Sequence, residues 1–381
     1  MIKYKILILA ICIQFISCSK KTIAAIELPS SNFKSQVGGK TTNIFTLKNK
    51  KGMTAQITNY GARVVSLWVP DNKGKFQDVV WGFETIDEYL NSSDIYCGPI
   101  VGRYGNRINQ GKFELNDKQY KLTLNNNGNH LHGGTNGFYT KVWDAKKLNI
   151  EGNEALELTY FSKDGEEGYP GNLSLKVTYI ITENNSLKLE YSATTDKTTI
   201  INPTSHCYFN LSGTSQNTIL DHILFINAQK FTPTNDLLIP TGEIVSLENT
   251  PLDFSTPTAI GKRIESNYEA LLFGKGYDHN YVINKPMGSY AKVAEIYSPE
   301  SGVLMTVSSD QPGLQFYSGN FMNGNLKGKR GDDHNYRTGF ALETQNFPDA
   351  PNHPNFPSAK LEPNQTYTQT TSYTFGIVLI N

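Results

Sequence analysis

The sequence predicts an all-β protein, a large single-domain β-sandwich with little helix. Tyr (21) and Phe (19) are abundant, 32 residues are Gly, and only 18% of the 381 residues are charged. That mixture suits strands and tight turns better than helical bundles. Leu173, Leu175, Val177, Tyr179 and Ile181 alternate with polar residues. After Glu183-Asn184-Asn185, so do Leu187, Leu189, Tyr191 and Ala193. This is the pattern of a hairpin with one buried face. Helix is plausible only over about 85–90 and 259–272.

The N-terminus is a targeting segment. A short basic head, Met1 to Lys5, precedes the nearly all-apolar run from Ile6 to Ile16, and then Ser17-Cys18-Ser19-Lys20. The apolar run falls short of the ~20 residues a membrane-spanning helix needs and fits a signal peptide. A cysteine just after it resembles a bacterial lipoprotein signal, cleaved before Cys18 and lipidated on it, although Phe15 stands where such signals usually carry Leu. The expected organisation is a signal over 1–17, a lipidated tether over 18–35 and one domain over 36–381. The chain would then sit on the periplasmic side, held to a membrane by its N-terminal lipid. Cys12 would leave with the signal, so Cys97 and Cys207 remain, expected as buried free thiols. Lys plus Arg and Asp plus Glu are both 35, which leaves no electrostatic footprint for nucleic acid.

Strand follows strand from Asn43. Ile44-Phe45-Thr46-Leu47 runs to a turn at Lys51-Gly52, then come Ala55-Gln56-Ile57 and a long stretch to Asp71; Leu156 to Tyr160 and Thr366 to Ile377 behave alike. Candidate chemistry is spread along this framework. Arg103 and Arg107 lie four apart in a glycine-spaced segment that could bring a guanidinium to ligand oxygens or bury one in an ion pair. His130 and His132 are two apart, so on a strand they would share a face at metal-ligand spacing. No glutamate follows within reach, so a polar-pocket role for His132 is preferred. In Ile201 to Leu211, Ser205, Cys207, Phe209 and Leu211 could face a core, leaving His206, Tyr208 and Asn210 on the other side. That polar set suits a polyol, but read alone the stretch favours a core strand with one satisfied histidine. Asp278 sits at a loop–strand junction as an acceptor for hydroxyls. Gln315 lies among aromatics that suit a pyranose face or simply fill a core. Glu343 is expected to end the apolar strand Phe340-Ala341-Leu342; a carboxylate there tends to be partly desolvated, which raises its pKa and makes it a better base.

Taken together, these stretches resemble the aldose 1-epimerase (galactose mutarotase) family. The resemblance runs in order through Ile57-Thr58-Asn59-Tyr60-Gly61-Ala62, Gly102-Arg103-Tyr104 with Asn106-Arg107-Ile108, Leu131-His132-Gly133-Gly134, and Asp164 to Gly171. It continues through Asn202-Pro203-Thr204-Ser205-His206, Asp278-His279-Asn280, Gln315 to Asn320, and Leu342-Glu343-Thr344-Gln345-Asn346. It spans about 40–380. It implies the large mutarotase-like sandwich and interconversion of the α and β anomers of free aldohexoses such as glucose and galactose. It implies Glu343 as general base and His206 as general acid, with Asn106, Arg107, His132, Asp278 and Gln315 binding sugar and Tyr208 lining the pocket. The departures (Gly105, Cys207 and Phe347 where alanine, serine and tryptophan are frequent) touch no proton-transfer residue.

Ring opening then needs a proton taken from the anomeric hydroxyl and one given to the ring oxygen. His206 would have to be protonated near neutral pH, with Asp278 or Glu343 nearby favouring the charge. Nothing is oxidised, so no cofactor and no metal is expected for the reaction; a structural calcium ion stays open. The expected partner is a small aldohexose, and a monomer is favoured. Two other readings remain at this point: a glycoside hydrolase with Asp278 and Glu343 as paired carboxylates, and a non-catalytic carbohydrate-binding lipoprotein.

Overall fold

A computed structural model describes residues 25–213 and 217–378, so the 1–17 signal and Cys18 lie outside the described residues. Among them, no helix is long and apolar enough to cross a membrane. The predicted hairpin forms: Leu173–Ile181 pairs with Ser186–Thr195 from Leu173↔Thr195 to Ile181↔Leu187. Its turn needs a left-handed residue, supplied by Asn185 at φ 60°, a residue type that tolerates this region.

The hairpin is the middle of a nine-stranded antiparallel sheet. Its order is Asp144–Ile150, Asn153–Ser162, Leu173–Ile181, Ser186–Thr195, Tyr367–Ile377, Val303–Ser309, Ala291–Tyr297, Ile223–Ile226 and Thr258–Ala259. A five-stranded sheet runs Val245–Ser246, Ala228–Thr232, Asp278–Ile283, Gly313–Tyr317, Ala341–Gln345. A four-stranded sheet takes Ile44–Lys48, Thr54–Thr58, Arg63–Pro70 and Phe76–Asp78. One buried core joins all three: Leu175, Val177 and Tyr179 share it with Ile57 and Leu67 and with Leu314, Phe316 and Leu342. A sheet with one apolar face must cover that face, and here the sheets cover one another.

The five-stranded sheet positions the site. Cross-strand partners share a face, and the register places Asn280, Gln315 and Glu343 in one row and Asp278, Tyr317 and Ala341 in the next. The opposite rows, His279, Phe316, Leu342 and Tyr281, Leu314, Thr344, face inward. Alternation therefore sends Leu342 to the core and Glu343 to the other side.

Four expectations change. Residues at the end of the expected 18–35 tether pack on the domain: Leu28 N donates to Gln56 Oε1 at 2.8 Å and Phe33 is fully buried. The second helix shrinks to Glu269–Gly274; Ala259 ends a strand, and a 3-10 turn at Ile260–Lys262 intervenes. Only Thr204–Ser205 of the 201–211 stretch is strand, paired with Ile100–Val101. Beyond it the chain makes single bridges, Phe209 to Val80 and to Phe340, and His206, Tyr208 and Asn210 are buried like Cys207, Phe209 and Leu211. Fourth, Glu343 lies within its strand, not at the end. The helix Ile86–Asn91 matches expectation, with Thr85 and Glu88 forming a capping box. Cys97 and Cys207 are free and buried.

Candidate active site

A cleft of about 650 Å³ opens beside the five-stranded sheet, lined among others by Asn106, Arg107, His132, His206, Tyr208, Asp278 and Glu343. That size is within the range of small-molecule sites. Seven of the eight expected catalytic and sugar-binding residues therefore converge here from segments far apart in sequence.

His206 is anchored through its backbone, with N donating to Pro99 O at 2.9 Å and O accepting from Gly98 N at 3.0 Å. Its ring stands edge-on to His132 (4.9 Å between centroids) and Tyr208 (5.0 Å) and tilted on Tyr96 (5.6 Å). Nε2 lies 3.7 Å from Glu343 Oε1. His206 Nδ1 and Glu343 Oε2 are buried without a hydrogen-bond partner. Such orphaned polar atoms cost free energy unless a ligand serves them, and here they flank a cleft.

Burial sets the protonation of this pair. It pushes His206 down to about 4, against the pull of its own main chain and of the Asp278 carboxylate. Burial, then Asp278, raises the Glu343 carboxyl well above its ordinary value, with Arg107 opposing. Burial therefore works against the expected imidazolium: with only 4% and 2% of these residues exposed, losing water outweighs the nearby carboxylate. Burial thus favours the neutral form of each group, and the two titrate as a pair.

His132 reaches the cleft from a left-handed position, φ 52°. Its Nδ1 accepts from Asn106 N at 3.1 Å, which leaves the proton on Nε2 and makes a neutral ring a donor. Burial and the neighbouring His206 and Arg107 hold its pKa well below the usual value. The turn after it requires Gly133, φ 91°, because a Cβ there would stand 1.7 Å from Gly102 O. His130 does not share this face. It bonds Thr123 O at 2.6 Å and Tyr169 Oη at 2.5 Å in the interior, so the His130/His132 metal pair does not form. A different trio in the cleft, His132, His206 and Glu343, has ligating atoms within 4.8 Å of one another and could hold a metal.

The two arginines divide. Arg103 is structural, donating to Pro170 O, Gly171 O and Ser162 Oγ under the Tyr169 ring. Arg107 Nη1 lies 3.9 Å from Asp278 Oδ2 at the cleft. Gln315 stands directly across from Glu343; its Nε2 donates to Asp278 Oδ1 at 2.6 Å and its Oε1 is buried without a partner. Sequence reasoning missed Tyr96, Asp94 and His334, all on the wall, where Tyr317 also stands. Tyr96 carries the clearest signal in retrospect, as an aromatic just before the Cys97-Gly98 turn. It packs edge-on to His132 at 4.7 Å as well as against His206.

A buried acid–base pair ringed by hydroxyl-binding side chains is equipped to move protons on a polyol, and this defines a carbohydrate-acting enzyme on a β-sandwich. Comparison with known proteins agrees and goes further. The model of the aldose 1-epimerase family matches residues 43–374. Galactose mutarotase of Bos taurus is 39% identical over 343 residues, covering 90% of this chain and 96% of its own. Aldose 1-epimerase of Haemophilus influenzae is 35% identical over 313 residues, covering 82% and 88%. The crystal structure of an aldose epimerase homologue from C. elegans superposes with a TM-score of 0.80 at 30% identity, over 89% of this chain and all of the other. That of galactose 1-epimerase from Lactobacillus acidophilus also gives 0.80, at 26% identity, over 91% and 97%. This chain belongs to the aldose 1-epimerase family and is an isomerase that interconverts the anomers of aldoses. A hydrolytic or purely sugar-binding role is not favoured.

Proposed function

We propose that the substrates are free aldohexoses such as glucose and galactose, with Glu343 as general base and His206 as general acid. The observation that carries this reading is the buried pair itself, 3.7 Å apart, with a free polar atom on each partner. In ring opening, ionised Glu343 takes the proton of the anomeric hydroxyl and protonated His206 gives one to the ring oxygen. The hemiacetal C–O bond breaks and an aldehyde forms. Rotation about C1–C2 exposes the other face. On closure His206 takes the proton from the C5 hydroxyl, that oxygen attacks C1, and Glu343 returns a proton to the carbonyl oxygen.

The proton count explains why burial helps. Opening converts an ionic pair and a closed sugar into a neutral pair and an open one. A dry site disfavours the ionic pair, so its walls push in the direction of ring opening. Neutral His132 and Arg107 supply donors for charge developing on oxygen. Asp278, steered by Gln315 and Arg107, accepts from a sugar hydroxyl.

Asp278→Asn is therefore expected to raise KM by ~10–100-fold with a smaller change in kcat, as loss of a charge-assisted hydrogen bond does. Polarimetry of freshly dissolved α-glucose and α-galactose measures both. Wild-type protein that leaves the spontaneous rate unchanged would refute the enzymatic reading.

We also propose export and lipidation at Cys18, a reading supported by the basic head, the apolar run and the cysteine after it. Cys18→Ala expressed in a bacterial host should shift the protein from the membrane to the soluble fraction. An unchanged distribution would sink the anchor.

A further inference from the structure

Next to the proton-transfer pair is a second cluster of reactive side chains that the isomerisation does not use. Asp94, Cys97 and His334 bring a carboxylate oxygen, a thiol sulfur and an imidazole nitrogen within 4.8 Å of one another. Asp94 and Cys97 come from one loop, three residues apart; His334 arrives from a segment more than two hundred residues on. Cys97 Sγ is 4.0 Å from His334 Nδ1, and an Asp94 carboxylate oxygen lies within 4.8 Å of both. Cys97 is fully buried and His334 is 3% exposed.

The imidazole is held for this direction. Its ring lies against Trp81 at 3.9 Å and stacks with Phe83 at 5.2 Å. Nδ1 is the ring nitrogen that faces the sulfur. Asp94 is supported too, with Oδ1 accepting from Tyr96 N at 3.3 Å. Asp94 and His334 both border the cleft, so the side opposite the protein ligands faces open space.

We propose that Asp94, Cys97 and His334 form a binding site for a thiophilic divalent cation of the zinc class, with three protein ligands and a fourth position open to the cleft. One sulfur, one nitrogen and one carboxylate oxygen form a ligand set that zinc accepts in tetrahedral geometry. The observed spacing needs only a small contraction to reach metal–ligand distances. Binding releases the thiol proton of Cys97 to solvent and forms the metal–thiolate bond. The cation ties the 94–97 loop to the 334 segment. That loop carries Tyr96, which packs on both His132 and His206, so the cation braces a wall of the active site without entering the proton transfers.

Cobalt(II) titration of the purified chain tests this, because thiolate-to-cobalt charge transfer gives a near-ultraviolet band that nitrogen and oxygen ligands do not. The expected result is one equivalent bound with that band, lost in Cys97→Ser and His334→Ala and kept in Cys207→Ser. Zinc should displace the cobalt and raise the Tm of the parent. Its affinity should fall in Cys97→Ser by more than the ~10–100-fold that losing an outer-shell partner costs. Cation bound without a sulfur band, as His132, His206 and Glu343 would hold it, overturns the proposal. So does a band that survives Cys97→Ser, or no binding at all. Circular dichroism of each variant confirms that a lost band does not reflect a lost fold.

Discussion

Glu343→Gln is expected to lower catalysed anomer exchange by ~10²–10⁴-fold, the contribution of one positioned proton transfer. The amide keeps the size of the side chain but cannot take the anomeric proton, so KM should change much less than kcat. The same variant has a second readout that a structural role would not produce. Burial raises the folded-state pKa of Glu343 above its ordinary 4.5, so the folded protein holds this proton to higher pH than the unfolded chain does. Stability from that proton is fully present below 4.5 and is lost as pH rises through the raised value. The amide has no such loss. Glu343→Gln should therefore match the parent in Tm at acid pH and exceed it at neutral and alkaline pH. Greater stability together with lost activity is the signature of a site strained for function. A variant that stays active, or that is destabilised at every pH, would contradict the assignment.

Sequence pattern carried most of the architecture, because strand alternation is local. The 173–193 hairpin shows it: each side chain's face follows from its neighbours two residues away. Glu343 was legible for a related reason, as one carboxylate behind Phe340-Ala341-Leu342, and the register across from Gln315 puts it on the face opposite Leu342. Gln315, expected at the sugar, donates to Asp278, a diagonal neighbour one row along from its own cross-strand partner Asn280, a pairing that only the strand register decides. His206 was found but misdescribed. Its strand does not continue past Ser205, and its protonation depends on Tyr96 and His132, which arrive from other segments to pack on its ring. Desolvation is a property of the assembled wall, and no local pattern encodes it. Cys97 and His334 were invisible together for the same reason: 237 residues separate them.

His206→Asn is the complementary prediction. Asparagine keeps polarity and some volume but cannot carry the proton to the ring oxygen, so exchange should again fall by ~10²–10⁴-fold. The informative comparison is with the double variant. Glu343 and His206 act in the same transition state, one removing a proton as the other delivers one, so losing either disables the concerted step. Groups that work as a unit are strongly non-additive, and Glu343→Gln with His206→Asn together should cost little more than either alone. Two independent binding contributions would instead multiply. The pH profile separates these cases further. Activity requires the pair to hold one proton, whichever member carries it, so kcat/KM of the parent should fall on the acid side as a second proton enters and on the alkaline side as the only one leaves. The two limbs belong to the pair rather than to either residue. Removing His206 removes the site that accepts the second proton, and the acid limb assigned to it should disappear from the residual rate. If polarimetry across pH shows the acid limb unchanged in His206→Asn, the second proton goes elsewhere and His206 is not the acid.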